Sequence, residues 1–200
     1  MKRFTPSLMN GGSQNNLLLD VYPGASLALS VRKLKTSYSG RSMKVRRSSD
    51  DATQDIGFDR NGDLDQTALT NFVGANDGFV DTWYDQSGNG LNATQATTAN
   101  QPRVVLAGVV ETFLSRPTVR FISGTNVLLT SNSTVWTSAS GLWQAFTLIQ
   151  CPSYSLSFRG YFVVDDTGAN RILWYAGQTS SGAQRPEALA WDDLGNVYAG

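Results

Sequence analysis

Residues 79–90 read FVDTWYDQSGNG and join a strand pattern directly to a turn pattern. The first half alternates with a period of two, which is typical of a strand; one face carries Phe79, Asp81 and Trp83, and the other carries Val80, Thr82 and Tyr84. In the second half, Asp85 and Asn89 are able to bond their own backbone, and Gly88 and Gly90 permit positive φ. The stretch therefore predicts a central strand that ends in a tight polar loop.

Helical spacing precedes this strand at two places. In residues 25–38, apolar side chains recur every three or four positions, which predicts an amphipathic helix; they are Leu27, Val31, Leu34 and Tyr38. A second short helix is predicted over residues 66–73, with Asp65 as its N-cap and Gly74 at its end. Short strands are predicted at Met43–Arg47 and at 54–58.

From residue 102 onward the pattern is almost entirely that of short strands. We predict strands at 103–107, 118–122, 126–130, 142–150, 160–165, 171–176 and 187–191, separated by turns rich in Gly, Ser, Asn and Asp. Such spacing is typical of a sandwich or jelly roll. The fold predicted is mainly β, an antiparallel two-sheet jelly-roll sandwich with two short helices in its N-terminal half.

The amino-acid composition excludes several classes of catalytic and binding site. There is no histidine, which excludes histidine-based triads, bases and metal ligands, and Cys151 alone cannot form an intrachain disulfide. The 16 basic and 16 acidic residues cancel, so no nucleic-acid partner is expected. Basic residues nevertheless concentrate before residue 48, and a basic arm that touches nucleic acid is the minority alternative. No apolar run is long enough to span a bilayer, so no membrane partner is expected.

Two regions of the chain are distinguished. Residues 1–16 are polar and rich in Gly and Asn, and we expect a flexible arm or one that docks on a partner. Residues 17–200 are expected to form one domain, which is incomplete at its C-terminus if the strands of a jelly roll continue beyond Gly200.

A family resemblance is carried by several runs between residues 24 and 102. They are Ala28–Leu34 (ALSVRKL), Val45–Asp50 (VRRSSD), Asp55–Phe58 (DIGF), Thr82–Gly90 (TWYDQSGNG) and Ala99–Pro102 (ANQP). The combination resembles the N-terminal half of the α-L-arabinofuranosidase B catalytic domain, and resembles more closely the phage tail and virion proteins that carry this module. Residues 103–200 resemble a concanavalin A-like jelly roll more diffusely.

The resemblance implies hydrolysis of a furanoside with retention, which needs two carboxylates about 5–5.5 Å apart. The catalytic positions of the family lie outside the runs matched here, and neither Glu111 nor Glu187 sits in a family motif. The resemblance also implies a disulfide near the site, which a single cysteine cannot form. We therefore predict no catalytic residues and no enzymatic activity.

Candidate binding residues are few. A carbohydrate contact is assigned to Trp136, in a polar stretch, and to Asp85, Gln86 and Asn89 of the turn. For Asp85 the favoured interpretation is structural, as an acceptor of backbone amides. Residues 59–65 resemble the start of a calcium loop, but Leu64 occupies the place of the required glycine. We therefore predict a turn and a helix cap and no metal or other cofactor, with Ca²⁺ kept as an alternative.

The function predicted is that of a phage virion structural protein, a component of a tail, fibre, head decoration or appendage. It would act by assembly and by binding a host-surface glycan, with other virion proteins as partners and a homo-oligomer, preferably a trimer, as its form. It would be made in the host bacterial cytoplasm and reside in the virion. The alternatives are an arabinofuranosidase-like glycoside hydrolase and a standalone lectin-like carbohydrate-binding module.

Overall fold

The computed structural model describes residues 17–121 and 128–130, together with the backbone of four later strands between residues 159 and 199. The described residues include two α-helices, α1 (Leu18–Val21) and α2 (Gln66–Val73), and a 3-10 turn that spans Thr98–Asn100. The strands are β1 (Met43–Arg47), β2 (Thr53–Ile56), β3 (Gly78–Trp83), β4 (Ala93–Thr94), β5 (Arg103–Leu106), β6 (Val109–Val110), β7 (Thr112–Phe113), β8 (Arg116–Pro117), β9 (Leu129–Thr130), β10 (Arg159–Asp166), β11 (Asn170–Gln178), β12 (Gln184–Trp191) and β13 (Val197–Ala199).

Strand β3 lies at the centre of a seven-stranded sheet. The main path of the sheet runs β2-β1-β3-β4-β9, and β5 pairs with the other half of β3 and with β6. Each of these pairings is antiparallel. The loop that follows β3 therefore starts from the most embedded strand of this sheet.

A β-bulge in β3 changes which side chains share a face. Val80 pairs with Val45 and Trp83 pairs with Met43, so the register shifts by one residue around Asp81. Since Met43 and Val45 lie on one face of β1, Val80 and Trp83 lie on that same face although they are three positions apart. The strict alternation predicted for 79–84 is correct only up to the bulge.

The core lies on this face of the sheet, where α2 covers the strands. Asp65 caps the helix by accepting a hydrogen bond from the Ala68 amide, and Leu69 and Val73 point into the core. The buried cluster consists of Met43, Val45, Ile56, Leu64, Leu69, Val73, Val80, Val104 and Val105. The packing is close enough that a side chain at Gly78 would press on Val73, Val105 and Val45.

Strands β10 to β13 form a second, four-stranded antiparallel sheet in which sequence neighbours pair in order. The predicted strands at 160–165, 171–176 and 187–191 fall within β10, β11 and β12. The strand predicted over 142–150 lies outside the described residues. Of the strand predicted over 118–122, the described residues 118–121 form only an isolated bridge, between Arg103 and Arg120.

The mainly β, antiparallel class and the presence of two helices in the N-terminal half are confirmed. The helix predicted over 25–38 is wrong: the segment is irregular, and the first helix is instead Leu18–Val21. The physical reason is that the loop after β3 bonds the backbone of this segment, as described below. Within the described residues no helix is long and apolar enough to cross a membrane.

Candidate functional site

The carboxylate of Asp85 lies at the end of β3 and is only 5% exposed. Its Oδ1 accepts hydrogen bonds from the amides of Ala28 and Ser87, both at 2.9 Å. Its Oδ2 accepts from the Ser87 hydroxyl at 2.6 Å and from the Leu91 amide at 3.1 Å. Burial acts to raise the pKa of Asp85, but these hydrogen bonds outweigh it and hold the pKa below its usual value. The structural interpretation of Asp85 is confirmed.

Gln86 is fully buried and holds the same irregular segment further along. Its side-chain oxygen accepts from the Leu34 amide at 2.8 Å, and its Nε2 donates to the carbonyls of Ser30 and Arg32 at 3.0 and 2.9 Å. Its own amide donates to the Ala28 carbonyl. One side chain thus satisfies three backbone groups that a helix would have bonded internally.

Asn89 completes this contact from an exposed position between two glycines of positive φ, Gly88 and Gly90. Its Nδ2 donates to the carbonyls of Ala25 and Ser26 at 3.2 and 2.9 Å. The structure therefore brings Asp85, Gln86 and Asn89 together as a clamp on residues 25–34, which we call the turn clamp. The carbohydrate contact assigned to them stays a prediction, and Trp136 lies outside the described residues.

A shallow depression of about 210 Å³ opens at the same end of the sheet, where β1 starts and β2 ends. We call it the Tyr38 groove; it is lined by Lys33, Tyr38, Ser39, Gly40, Arg41, Gly57, Phe58 and Asp59. The rings of Tyr38 and Phe58 meet edge to face, with centroids 6.3 Å apart. The Tyr38 hydroxyl donates to the Arg41 carbonyl at 2.8 Å, which fixes the ring over Gly40. Burial and the charge of Asp85 raise the pKa of Tyr38.

Tyr84 lies at the same end of the sheet as the Tyr38 groove, because its amide donates to the carbonyl of Ser42 just before β1. Its hydroxyl donates to Asp55 Oδ1 at 2.7 Å. Burial first, and then the bond to Asp55, raise the pKa of Tyr84 well above its usual range. The phenol therefore stays protonated and serves as a hydrogen-bond donor.

The sequence pattern did not indicate these aromatic residues as site candidates. Tyr38 was assigned to the apolar face of a helix, and Phe58 to the end of a strand. A sequence signal was available in the two glycines, Gly40 and Gly57, that lie close to these large side chains in the chain. A Cβ at Gly40 would overlap the Tyr38 hydroxyl, and one at Gly57 would crowd the Arg41 guanidinium.

The stretch Asp59–Asp65 forms the predicted turn and helix cap. Asp59 Oδ1 accepts from the amides of Asn61 and Asp63, at 2.8 and 3.0 Å. Asp63 instead forms an ion pair with Arg32 at 2.7 Å. Within the part of the chain that the structure describes, no three Cys, Asp or Glu side chains gather as a metal site would require. The calcium alternative has no support from these residues.

Glu111 is bound by two arginines. Its Oε1 lies 2.6 Å from Arg103 Nη2, and its Oε2 lies 3.3 Å from Arg120 Nη1. The Glu111 side chain is 10% exposed and that of Arg103 is 15% exposed. This carboxylate is thus neutralised within the scaffold, where it joins β5 to the chain that follows β8. Glu187 lies in β12.

Comparison with known proteins points to one enzyme family. The family model described as the catalytic domain of α-L-arabinofuranosidase B matches residues 22–111, which include the turn clamp and the Tyr38 groove. No curated protein matches.

Three solved structures are similar over parts of the chain. One is an arabinofuranosidase complexed with arabinofuranosyl-α-1,2-xylobiose, with 33% identity, 40% of this chain and 17% of that chain covered, and a TM-score of 0.36. The second is a glutamate-to-glutamine mutant of a GH54 α-L-arabinofuranosidase soaked with 4-nitrophenyl α-L-arabinofuranoside, with 28% identity, coverages of 44% and 21%, and a TM-score of 0.39. The third is a GH54 α-L-arabinofuranosidase soaked with a cyclic sulfate inhibitor, with 19% identity, coverages of 90% and 42%, and a TM-score of 0.48.

The resemblance to α-L-arabinofuranosidase B is confirmed for residues 22–111, but the virion function is wrong, and so is the prediction of no enzymatic activity. The matched model is that of a catalytic domain, and none of the comparisons points to a phage protein. The error came from treating the missing carboxylate pair as lost chemistry. The chain spans between 17% and 42% of the length of the three enzymes.

Proposed function

We propose that the protein is a glycoside hydrolase that cleaves α-L-arabinofuranosides, and that residues 22–111 form part of the scaffold of its catalytic domain. The single observation that carries this proposal is the match of those residues to the family model of that catalytic domain. The geometry supports the scaffold role, since the turn clamp and the Glu111 ion pairs use their polar atoms to join segments of the chain.

Retaining hydrolysis would require two further carboxyl groups about 5–5.5 Å apart. One would protonate the leaving-group oxygen, and the other would attack the anomeric carbon and form a covalent intermediate that water then hydrolyses. Asp85 and Glu111 are poor candidates because both are engaged by several donors of the scaffold. We place the pair outside the described side chains.

The test is hydrolysis of 4-nitrophenyl α-L-arabinofuranoside by the full-length protein that carries these 200 residues, with 4-nitrophenyl β-D-xyloside as the control substrate. We expect release of 4-nitrophenol from the furanoside only. Each carboxylate at 165, 166, 187, 192 and 193 would then be changed to its amide, with Asp50→Asn as an exposed control. Azide rescue of an inactive variant would identify a nucleophile or acid/base position. A well-folded protein with no turnover would overturn the proposal.

We also propose that the two sheets pack as a concanavalin A-like jelly roll. The antiparallel order within each sheet supports this arrangement. An experimental structure of the full-length protein in which β10 to β13 do not face the first sheet would contradict it.

A further inference from the structure

The Tyr38 groove combines two kinds of wall. Tyr38 and Phe58 provide aromatic surface, and Lys33 and Arg41 provide cationic donors. Gly40 and Gly57 also line the groove, and a Cβ at either position would press on the Tyr38 ring or on the Arg41 guanidinium. At about 210 Å³ the groove is smaller than the roughly 300–1,000 Å³ of pockets for drug-sized ligands, so it suits one small ring.

The charge of the groove is predominantly positive. Among the described residues neither Lys33 nor Arg41 forms an ion pair, whereas Arg32, Arg46 and Arg47 each pair with an aspartate. The one acid of the lining, Asp59, already uses Oδ1 to accept two backbone amides. Lys33 and Arg41 thus line a small space together with one partly engaged carboxylate.

We propose that the Tyr38 groove binds a carboxylate-bearing sugar, that is, a uronic acid residue of a branched polysaccharide. Lys33 and Arg41 would bind the carboxylate through charge-assisted hydrogen bonds. The ring of Tyr38, fixed by its bond to the Arg41 carbonyl, would pack against the apolar face of the sugar. The choice of a sugar rests on the proposed function, whereas the choice of an anion rests only on the lining of the groove.

This groove is a binding site and takes no part in bond cleavage. A branched polysaccharide that carries both arabinofuranosyl and uronic acid substituents would be bound through its uronic acid residue at the groove. Its arabinofuranosyl substituent would be hydrolysed elsewhere on the domain. Such an accessory contact would increase the affinity for substrates that carry uronic acid relative to substrates that lack it.

The test is titration of the ¹⁵N-labelled protein with D-glucuronate, followed by NMR. We expect saturable shifts at the amides of Gly40, Gly57 and Phe58. D-glucose, which has the same ring without the carboxylate, and acetate, which has the carboxylate without the ring, should each bind at least roughly tenfold more weakly. Equal shifts with glucose and glucuronate, or shifts at amides outside the groove, would overturn the proposal. This test needs no substituted protein.

Variants then assign the donors. Lys33→Gln and Arg41→Gln should each weaken glucuronate binding roughly tenfold, since each removes one charged donor. Lys44→Gln, a lysine of β1 outside the groove, is the matched control and should bind as the wild type does. Unchanged affinity in both groove variants would contradict the assignment.

The two proposals fail separately. If the protein hydrolyses the aryl arabinofuranoside but shows no shifts with glucuronate, only the groove proposal is wrong. If it binds glucuronate at the groove but hydrolyses nothing, the hydrolase proposal is wrong and the anion site remains.

Discussion

The carboxylate of Asp85 joins its own turn to a distant segment, because it accepts from Ala28, from Ser87 and from Leu91. Two of these donors are backbone amides of its own turn, and one belongs to a segment 57 positions earlier. The amides would be left unpaired at a buried position without it. The function of this residue is therefore to fix the path of residues 25–34 against the end of β3.

Replacing Asp85 with alanine should lower the free energy of unfolding by about 1–3 kcal/mol, which is the cost of leaving buried donors without acceptors. Urea denaturation followed by tryptophan fluorescence would measure it. Asn71→Ala, at an exposed position on α2, is the control and should change stability by less than about 0.5 kcal/mol. An Asp85→Ala variant as stable as the wild type that no longer binds a glycan would show instead that the residue serves the ligand.

The same carboxylate should make stability depend on pH. Its pKa in the folded protein lies below the value of 3.8 that an unperturbed carboxyl shows. The folded state thus holds the proton less tightly than the unfolded state, so the stabilisation is complete above the unfolded pKa and is lost as the pH falls through the folded one.

We expect the difference in unfolding free energy between wild type and Asp85→Asn to be constant from pH 7 to about pH 5 and to shrink below about pH 4. Urea titrations at each pH would measure it. A difference that stays constant down to pH 3 would mean that the carboxylate is not the titrating group.

At the scale of elements, the irregular segment 25–34 behaves as a part of the loop that follows β3. Gln86 bonds the Leu34 amide and the carbonyls of Ser30 and Arg32, and Val31 packs against the core. The segment therefore keeps an apolar side facing inward without being a helix. Its order depends on a side chain that lies more than 50 positions later in the chain.

Gln86→Leu should release this segment while retaining a buried side chain of similar size. We expect hydrogen exchange at the Leu34 amide to accelerate and the protein to lose about 1–3 kcal/mol of stability, because buried backbone groups lose their partners. The Val80 amide, bonded to the Pro102 carbonyl, should keep its protection. Gln54→Leu, on the exposed side of β2, is the control. Unchanged exchange at Leu34 would contradict the clamp.

For the whole molecule, features that depend on residues close together in the sequence were predicted correctly, and features that depend on distant residues were not. The strands β1 and β3 were predicted because alternation is local, and the Asp65 cap because it acts over three residues. The spacing of Leu27, Val31 and Leu34 predicted an apolar side that faces inward, and Val31 does pack against the core. It did not indicate that distant side chains would bond the backbone, so a helix was predicted wrongly.

For the candidate site, too, only the local features were predictable from the sequence. The turn at 85–90 stood out because its residue types favour positive φ and local hydrogen bonds. The bulge at Asp81 and the meeting of Tyr38 with Phe58 depend on the register between strands, which sequence spacing alone does not specify. No catalytic carboxylates were predicted, because none of the quoted runs contains a pair of carboxylates with the spacing of a family motif.

Glu111 tests whether this half of the molecule is scaffold or active site. It is one of only two glutamates in the chain, and its carboxylate binds Arg103 and Arg120 on two different segments. Glu111→Ala should destabilise the fold by about 3–5 kcal/mol, because Arg103 would remain buried without its partner. Asp50→Ala, which breaks an exposed pair with Arg47, is the control and should have little effect.

Turnover of the aryl arabinofuranoside, expressed per folded molecule of the full-length protein, should be the same for Glu111→Ala as for the wild type. Stability is measured by urea denaturation, and activity is measured at a temperature where the variant remains folded. If the variant instead keeps its stability and loses turnover, Glu111 belongs to the catalytic pair, and the arginines hold a reactive carboxylate in place. The two outcomes are distinguished by both measurements: loss of stability alone indicates a scaffold ion pair, which acts on folding, and loss of turnover alone indicates a catalytic group, which acts on the transition state.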